Sequence, residues 1–170
     1  NGQWVLVAGR TTGMHSISSL DFTGLFSFPP SSQNREVWVV DPVTKQAWHR
    51  SLEDPSAGLT QAQVDTLTPS NAQSYQDGDR LYLLGGYTYD RTETQFRTLN
   101  TLSAFDLPEL VDWVKGGSGT AAEHIRQTSD PALQVTGGAL SEIDGRAHLV
   151  FGQNFDRAYS PYASGIYTKQ

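Results

Sequence analysis

One phrase recurs through the chain, and it restricts the backbone more than any other feature. Its fullest form is Asp77-Gly78-Asp79-Arg80-Leu81-Tyr82-Leu83-Leu84-Gly85-Gly86-Tyr87. A reduced form stands at Asp144-Gly145-Arg146-Ala147-His148-Leu149-Val150-Phe151-Gly152, and a shorter one at Trp4-Val5-Leu6-Val7-Ala8-Gly9. An Asp-Gly pair ahead of an apolar run signals a hairpin, because a type I′ turn needs positive φ at both central positions. The glycine pair at the far end lets the backbone bend where a Cβ would clash. A chain written around this phrase folds as short antiparallel strands.

Other markers keep step with it. Asp41 and Asp106 are 65 residues apart (106 − 41), as are Trp48 and Trp113 (113 − 48). Asp77 and Asp144 are 67 apart (144 − 77), and Gly86 and Gly152 are 66 apart (152 − 86). Gly9 to Gly86 is longer, at 77 (86 − 9), because the loop after Gly9 is longer. A fixed period of this kind marks an internal repeat. The units run over about 1–69, 70–130 and 131–170. Each offers four strands: one before the Asp-Gly turn, one ending in the glycine pair, one ending in Asp and one starting at Trp. Trp113 is therefore expected to open a strand, after a turn at Asp106-Leu107-Pro108. Thr60 with Gln63 and Thr120 with Glu123 form capping-box patterns, which predict short helices over 59–67 and 121–127. Pro69 and Pro131 stop them.

Composition enters where it excludes. The chain of 170 residues has a net charge of −6, and its three lysines (Lys45, Lys115, Lys169) are scattered. No basic stripe exists to track phosphates, so nucleic acid is not an expected partner. The absence of cysteine removes disulfides, thiolate metal sites and a cysteine nucleophile together. No apolar run approaches the ~20 residues that a membrane-spanning helix needs. Starting at Asn1, the chain reads as a processed product or part of something longer. Few lysines with many Thr, Ser, Asn and Tyr point to an extracellular, periplasmic or cell-surface setting.

A unit of this size cannot bury both faces of its own small twisted sheet, and packing sheets face to face around an axis solves the problem. Here the residues resemble the Kelch family. Leu81-Tyr82-Leu83-Leu84-Gly85-Gly86 is similar to the apolar strand closing on Gly-Gly, and Val37-Trp38-Val39-Val40-Asp41-Pro42-Val43-Thr44 leading to Trp48 is similar to the strand, turn and Trp that follow. The pattern is degenerate, with Ala8-Gly9 and Phe151-Gly152 in place of Gly-Gly. The resemblance implies an all-β fold: part of a β-propeller, about three four-stranded blades with the terminal ones incomplete. It also implies structural roles for Gly9, Trp48, Gly85, Gly86, Trp113 and Gly152, with the two tryptophans packed between sheets. The remaining blades would come from the same or another chain.

Candidate chemistry is sparse. His15, His49, His124 and His148 share no metal-binding spacing. Gly116 to Gly119 lacks the order of a phosphate loop, since Lys115 precedes the glycines. No catalytic residue, metal ligand or cofactor is assigned. The loops just beyond the three apolar strands are the most suggestive stretches. They carry Arg10 and His15; Tyr89, Asp90 and Arg91; and Asp156, Arg157 and Tyr159. In a propeller such loops gather at one rim, where Arg, aromatic rings and carboxylates could hold a sugar or an acidic peptide. The other reading is that Arg91 and Arg157 pair with neighbouring acids, Asp90 and Asp156 among them, and only hold the loops. The leading expectation is a non-enzymatic recognition or structural module that binds a protein or glycan. The alternative is an exported propeller enzyme acting on a sugar, of isomerase or mutarotase type.

Overall fold

Alternation along the strands decides which face of each sheet is dry. In Glu36–Asp41, Val37 and Val39 are fully buried while Trp38 between them faces outward, the period of two that a pleated strand imposes. The computed structural model describes residues 2–13 and 28–157 in full, and residues 166–169 as backbone. The architecture is predominantly β, in several small antiparallel sheets.

The first sheet has the order β1 (Trp4–Leu6), β2 (Glu36–Asp41), β3 (Gln46–Ser51). The chain then passes through a 3₁₀ turn (Pro55–Ala57) into α1 (Gln61–Thr66). The Thr60–Gln63 capping box forms: the Gln63 N–H donates to Thr60 Oγ1 and the Thr60 N–H to Gln63 Oε1. Next come β4 (Gln73–Asp77), β5 (Arg80–Leu84), a hairpin of β6 (Tyr87–Asp90) and β7 (Gln95–Thr98), then β8 (Thr101–Asp106). Helix α2 (Leu107–Val114) separates β8 from β9 (Ile125–Ser129), and β4-β5-β8-β9 form a four-stranded sheet. Hairpins β10 (Ala139–Ile143) with β11 (Arg146–Val150), and β12 (Gln153–Asp156) with β13 (Ile166–Lys169), complete the chain.

Strand register establishes the repeat more firmly than sequence markers do. Trp4 pairs with Val40 and Leu6 with Trp38; Leu81 pairs with Phe105 and Leu83 with Ser103. These pairs superpose when β1 is shifted by 77 (81 − 4) onto β5, and β2 by 65 (105 − 40) onto β8. Likewise Gln73↔Leu84 maps onto Ala139↔Val150 with a shift of 66 (139 − 73). The bends after the apolar strands share one backbone shape. Ala8-Gly9 have φ of 58° and 80°, Gly85-Gly86 61° and 91°, and Phe151-Gly152 61° and 89°.

Several expectations are corrected, two of them by this register. Trp113 does not open a strand but lies inside α2, with no exposed surface. The counterpart of β3 is β9: Trp38↔His49 maps onto Ser103↔Gln127, a shift of 78 (127 − 49) for the last strand. The extra residues are α2 and the glycine-rich link after it. Asp106-Leu107-Pro108 therefore starts a helix instead of a turn, with Pro108 in the first turn where its missing N–H costs nothing. The second correction concerns Asp77, which is the last residue of β4, so the loop is Gly78-Asp79 and only Gly78 has positive φ. Asp144-Gly145 does form the loop of its hairpin, with φ of 52° and 74°, as a type I′ turn requires. The Thr120 box yields a 3₁₀ turn (Ala121–His124) and then strand, not a helix through 127.

The main core lies where the first sheet faces the four-stranded one. Val37 and Val39 meet Leu83 and Phe105, and α2 closes the space with Leu110 and Trp113. Backbone bonds tie each bend to the segment that leads into the next sheet: the Gly9 N–H donates to the Pro69 carbonyl, ahead of β4, and the Gly86 N–H to the Val135 carbonyl, ahead of β10, each at 2.8 Å. Among the described residues no helix is long and apolar enough to cross a membrane.

Candidate functional site at the junction of three loops

Each unit leaves its bend by an excursion, which in the first two units returns to the next strand of the sheet. In the second unit this is the β6–β7 hairpin; in the third it is β12–β13, with Tyr87↔Thr98 mapping onto Gln153↔Lys169. In the first unit the same place holds an Arg10↔Gln33 bridge. The three excursions come together around one ring. Tyr87, almost fully buried, meets Phe28 edge-on at 5.3 Å, stacks on Phe96 at 5.5 Å and touches Phe155 at 5.5 Å. Its hydroxyl donates to the Arg157 carbonyl at 2.6 Å. Aromatic pairs at such spacings contribute beyond their buried area.

Polar side chains lock the same junction. The Gln33 side-chain amide donates to the Thr88 hydroxyl and, at 3.1 Å, to the Tyr89 carbonyl, which joins the first excursion to the second. Thr98 is fully buried; its hydroxyl donates to the Phe155 carbonyl at 2.7 Å and accepts from the Phe155 N–H at 2.8 Å, which joins the second to the third. The Arg157 N–H donates to the Phe96 carbonyl.

A charge network supports the junction from below. Asp65, at the end of α1, is only 1% exposed. It accepts from the Arg91 backbone N–H at 2.9 Å, from Arg91 Nε at 2.8 Å, from the Thr92 N–H at 3.2 Å and from Gln61 Nε2 at 2.9 Å. Arg91 Nη1 also pairs with Glu53, and Arg35 Nε lies 3.4 Å from the same Glu53 oxygen. Burial draws the Arg35 guanidinium below its usual range, and the neighbouring Arg91 charge adds to this. Burial also acts to lower Arg91, but its hydrogen bonds to Glu53 and Asp65 outweigh this and hold it above the usual arginine range. Asp90 is buried and pairs with Arg97 at 2.7 Å, while accepting from the N–H groups of Thr92 and Glu93 across the β6–β7 turn.

The eight rim residues expected from sequence thus fall into distinct places. Arg10 lies with its guanidinium 4.6 Å over the Phe28 ring and donates to the Gly13 carbonyl. Tyr89 packs edge-on against Phe96 at 5.0 Å. Asp90 and Arg91 point into the supporting network. Asp156 is half-buried on β12, and Arg157 is exposed just after it. His15 and Tyr159 lie outside the described residues. Rings draw the excursions together, and the Arg10 and Arg91 side chains go to separate partners. Of the pairing read from sequence, Arg91 does meet carboxylates, but they are Asp65 and Glu53, and Asp90 takes Arg97. Asp65, Arg97 and Gln33 were not singled out by sequence reasoning. The contacts that Asp65 and Gln33 make with the β6–β7 hairpin span 26 residues or more, and no local pattern announces them.

Arg91 Nη2 and Arg97 Nε are buried and have no hydrogen-bond partner among the described residues. Among the described residues no group of three His, Asp or Glu side chains is placed to hold a metal ion. No protein-family model matches the chain, and no curated protein matches it in sequence.

Proposed function

We propose that the chain is part of a Kelch-like β-propeller and that the junction of its three excursions is a recognition surface for a protein or a glycan. The carrying observation is the convergence of the excursions onto Tyr87. A buried, cross-bonded base holds Arg10, Tyr89, Asp156 and Arg157 on elements with fixed positions, and half-buried or exposed aromatic, cationic and acidic groups on a rigid base suit recognition. The carboxylates beneath, Asp65 and Asp90, are each committed to an arginine. That commitment favours binding over proton transfer on a sugar. On this reading further blades, from the same or another chain, cover the outer faces of the first and third units. Exposed Trp4, Leu6 and Trp38 at one end and Ile143 and Val150 at the other fit that role. The lysine-poor composition, rich in Thr, Ser, Asn and Tyr, suits an extracellular, periplasmic or cell-surface setting.

The test is a glycan array and a displayed peptide library probed with the protein and with Tyr89→Ala, Asp156→Ala and Arg157→Ala. The expected result is one ligand class bound by the parent and lost tenfold or more in variants whose melting temperature is unchanged. Binding that ignores all three substitutions would remove the junction as the site.

A further inference from the structure

The cleft between the four-stranded sheet and the β10–β11 hairpin has two unlike ends. Its volume is about 340 Å³, at the small end of the ~300–1,000 Å³ of ligand pockets. Strand register orders its walls. Leu84 pairs with Leu102 and Leu140 with Leu149, so leucines from both walls line the end nearer the bends, where Leu133 joins them. Asp77 closes β4, and Glu142 pairs with Ala147 beside the Asp144-Gly145 loop, so two carboxylates stand at the end nearer the hairpin loops. The cross-strand pair Tyr75 and Tyr82 forms the wall between, with ring planes 15° apart and centroids at 6.5 Å.

The acidic end is held in place and uncompensated. Glu142 Oε2 accepts from the Tyr75 hydroxyl at 3.3 Å, and Oε1 accepts from the Gly145 N–H. Donors from both walls thus fix the carboxylate, and neither donor carries charge. Partial burial, and then the Glu142 charge, hold the Tyr75 hydroxyl above its usual range, so it stays a donor. Among the described residues neither Glu142 nor Asp77 forms an ion pair, and no lysine or arginine lines the cleft.

The repeat shows that packing does not demand these groups. Between the first and second sheets, Gln76 stands at the position of Glu142 (142 − 76 = 66) and Val5 at that of Tyr82 (82 − 5 = 77). Gln76 donates its side-chain amide to the Gly78 carbonyl at 2.9 Å. The same scaffold therefore closes without the carboxylate and without the ring.

We propose that the cleft between β4-β5 and β10-β11 binds a small organic cation, with an apolar ring or short alkyl body among the leucines and an ammonium group at Glu142 and Asp77. The ammonium donates charge-assisted hydrogen bonds to the carboxylates, and the ring faces of Tyr75 and Tyr82 attract the same charge. The net charge of −6 favours the approach of a cation. This site shares no lining residue with the aromatic junction around Tyr87 and stands independently of the role proposed there.

The experiment titrates the whole chain calorimetrically with phenethylammonium, with its neutral counterpart phenethyl alcohol, and with tetramethylammonium, which has the charge without the ring. One saturable site is expected for phenethylammonium, with the other two weaker by about tenfold or more. Glu142→Gln keeps an oxygen for the Gly145 N–H but removes the charge. It should weaken phenethylammonium by about tenfold and leave phenethyl alcohol unchanged. Ala147→Trp, at an exposed position on the cleft wall, should fill the cleft and abolish binding of both with the melting temperature unchanged. No saturable heat with phenethylammonium, or an affinity indifferent to both substitutions, would overturn the proposal. Equal affinities for phenethylammonium and phenethyl alcohol would overturn its claim on the carboxylates.

Discussion

Replacing Arg91 by Ala removes one partner from a carboxylate that has almost no contact with water. Asp65 is 1% exposed, and Arg91 Nε lies 2.8 Å from it. Breaking a buried pair on one side costs ~3–5 kcal/mol, because the remaining charge stays desolvated. Two features reduce that figure here. The Arg91 side chain is about a quarter exposed, and Asp65 keeps four donors after the change: the backbone N–H groups at 91 and 92, the Thr92 hydroxyl and the Gln61 amide. Charge-assisted hydrogen bonds of this kind contribute ~1.5–3 kcal/mol each. The expected loss is therefore about 2–3 kcal/mol, which corresponds to ~4–12 °C in melting temperature for a chain of this size. Asp65→Asn should lose a similar amount. The double variant Asp65→Asn with Arg91→Gln should recover part of it, giving a coupling of roughly 1–2 kcal/mol in a double-mutant cycle. Glu53→Gln should change stability by ~1 kcal/mol or less, as a more exposed partner does. Urea unfolding followed by circular dichroism measures all four. A loss below about 1 kcal/mol for Arg91→Ala with no coupling to Asp65 would refute the network as a support and return Arg91 to the rim as a free side chain.

Two further outcomes follow from packing. Trp113→Ala should destabilise by ~3–5 kcal/mol, since it empties the centre of the main core and removes the ring beneath Arg50, whose guanidinium lies 4.6 Å above it; a melting shift of less than about 3 °C would contradict the placement of α2. Gly86→Ala should cost ~2 kcal/mol more than Gly9→Ala in the same denaturant assay. Both positions carry positive φ, but a Cβ at 86 would sit 2.7 Å from Pro69 Cβ whereas one at 9 meets nothing within 4 Å, and equal losses would show that the bend tolerates crowding.

The sequence was most legible where one local rule sufficed. The apolar strands, the bends and the Thr60–Gln63 cap are all short-range patterns, and each is found where local chemistry puts it. The failures have physical causes. Trp113 reads like Trp48 because both set a large ring against the main core, fully buried in one case and partly in the other, but such packing does not say whether a helix or a strand delivers it. The helical signal was present in Leu107, Leu110, Val111 and Val114, spaced as one helix face requires. It was overridden by Asp-Leu-Pro, which serves a turn and a helix start equally. Asp77-Gly78 was one residue out because glycine alone satisfies a loop whose second residue needs no positive φ. At the junction, the places of the excursions were legible from the repeat, but Asp90 and Arg91 turn into the supporting network instead of facing outward. Asp65 was not legible: a buried carboxylate on a short helix has no local mark, and only the tertiary fold brings Arg91 to it.

The carbonyls of Pro69 and Val135, each accepting from the bend of the sheet before, make the molecule a one-dimensional chain of neighbours. In such an array the free energy of opening depends on how many interfaces a unit shares, and the flanks open first. The β4-β5-β8-β9 sheet has a neighbour on each side. Its amides should be the last to exchange, and loosening should travel inward from whichever end is least covered. A partner that seals one end would then slow exchange in the middle without touching it.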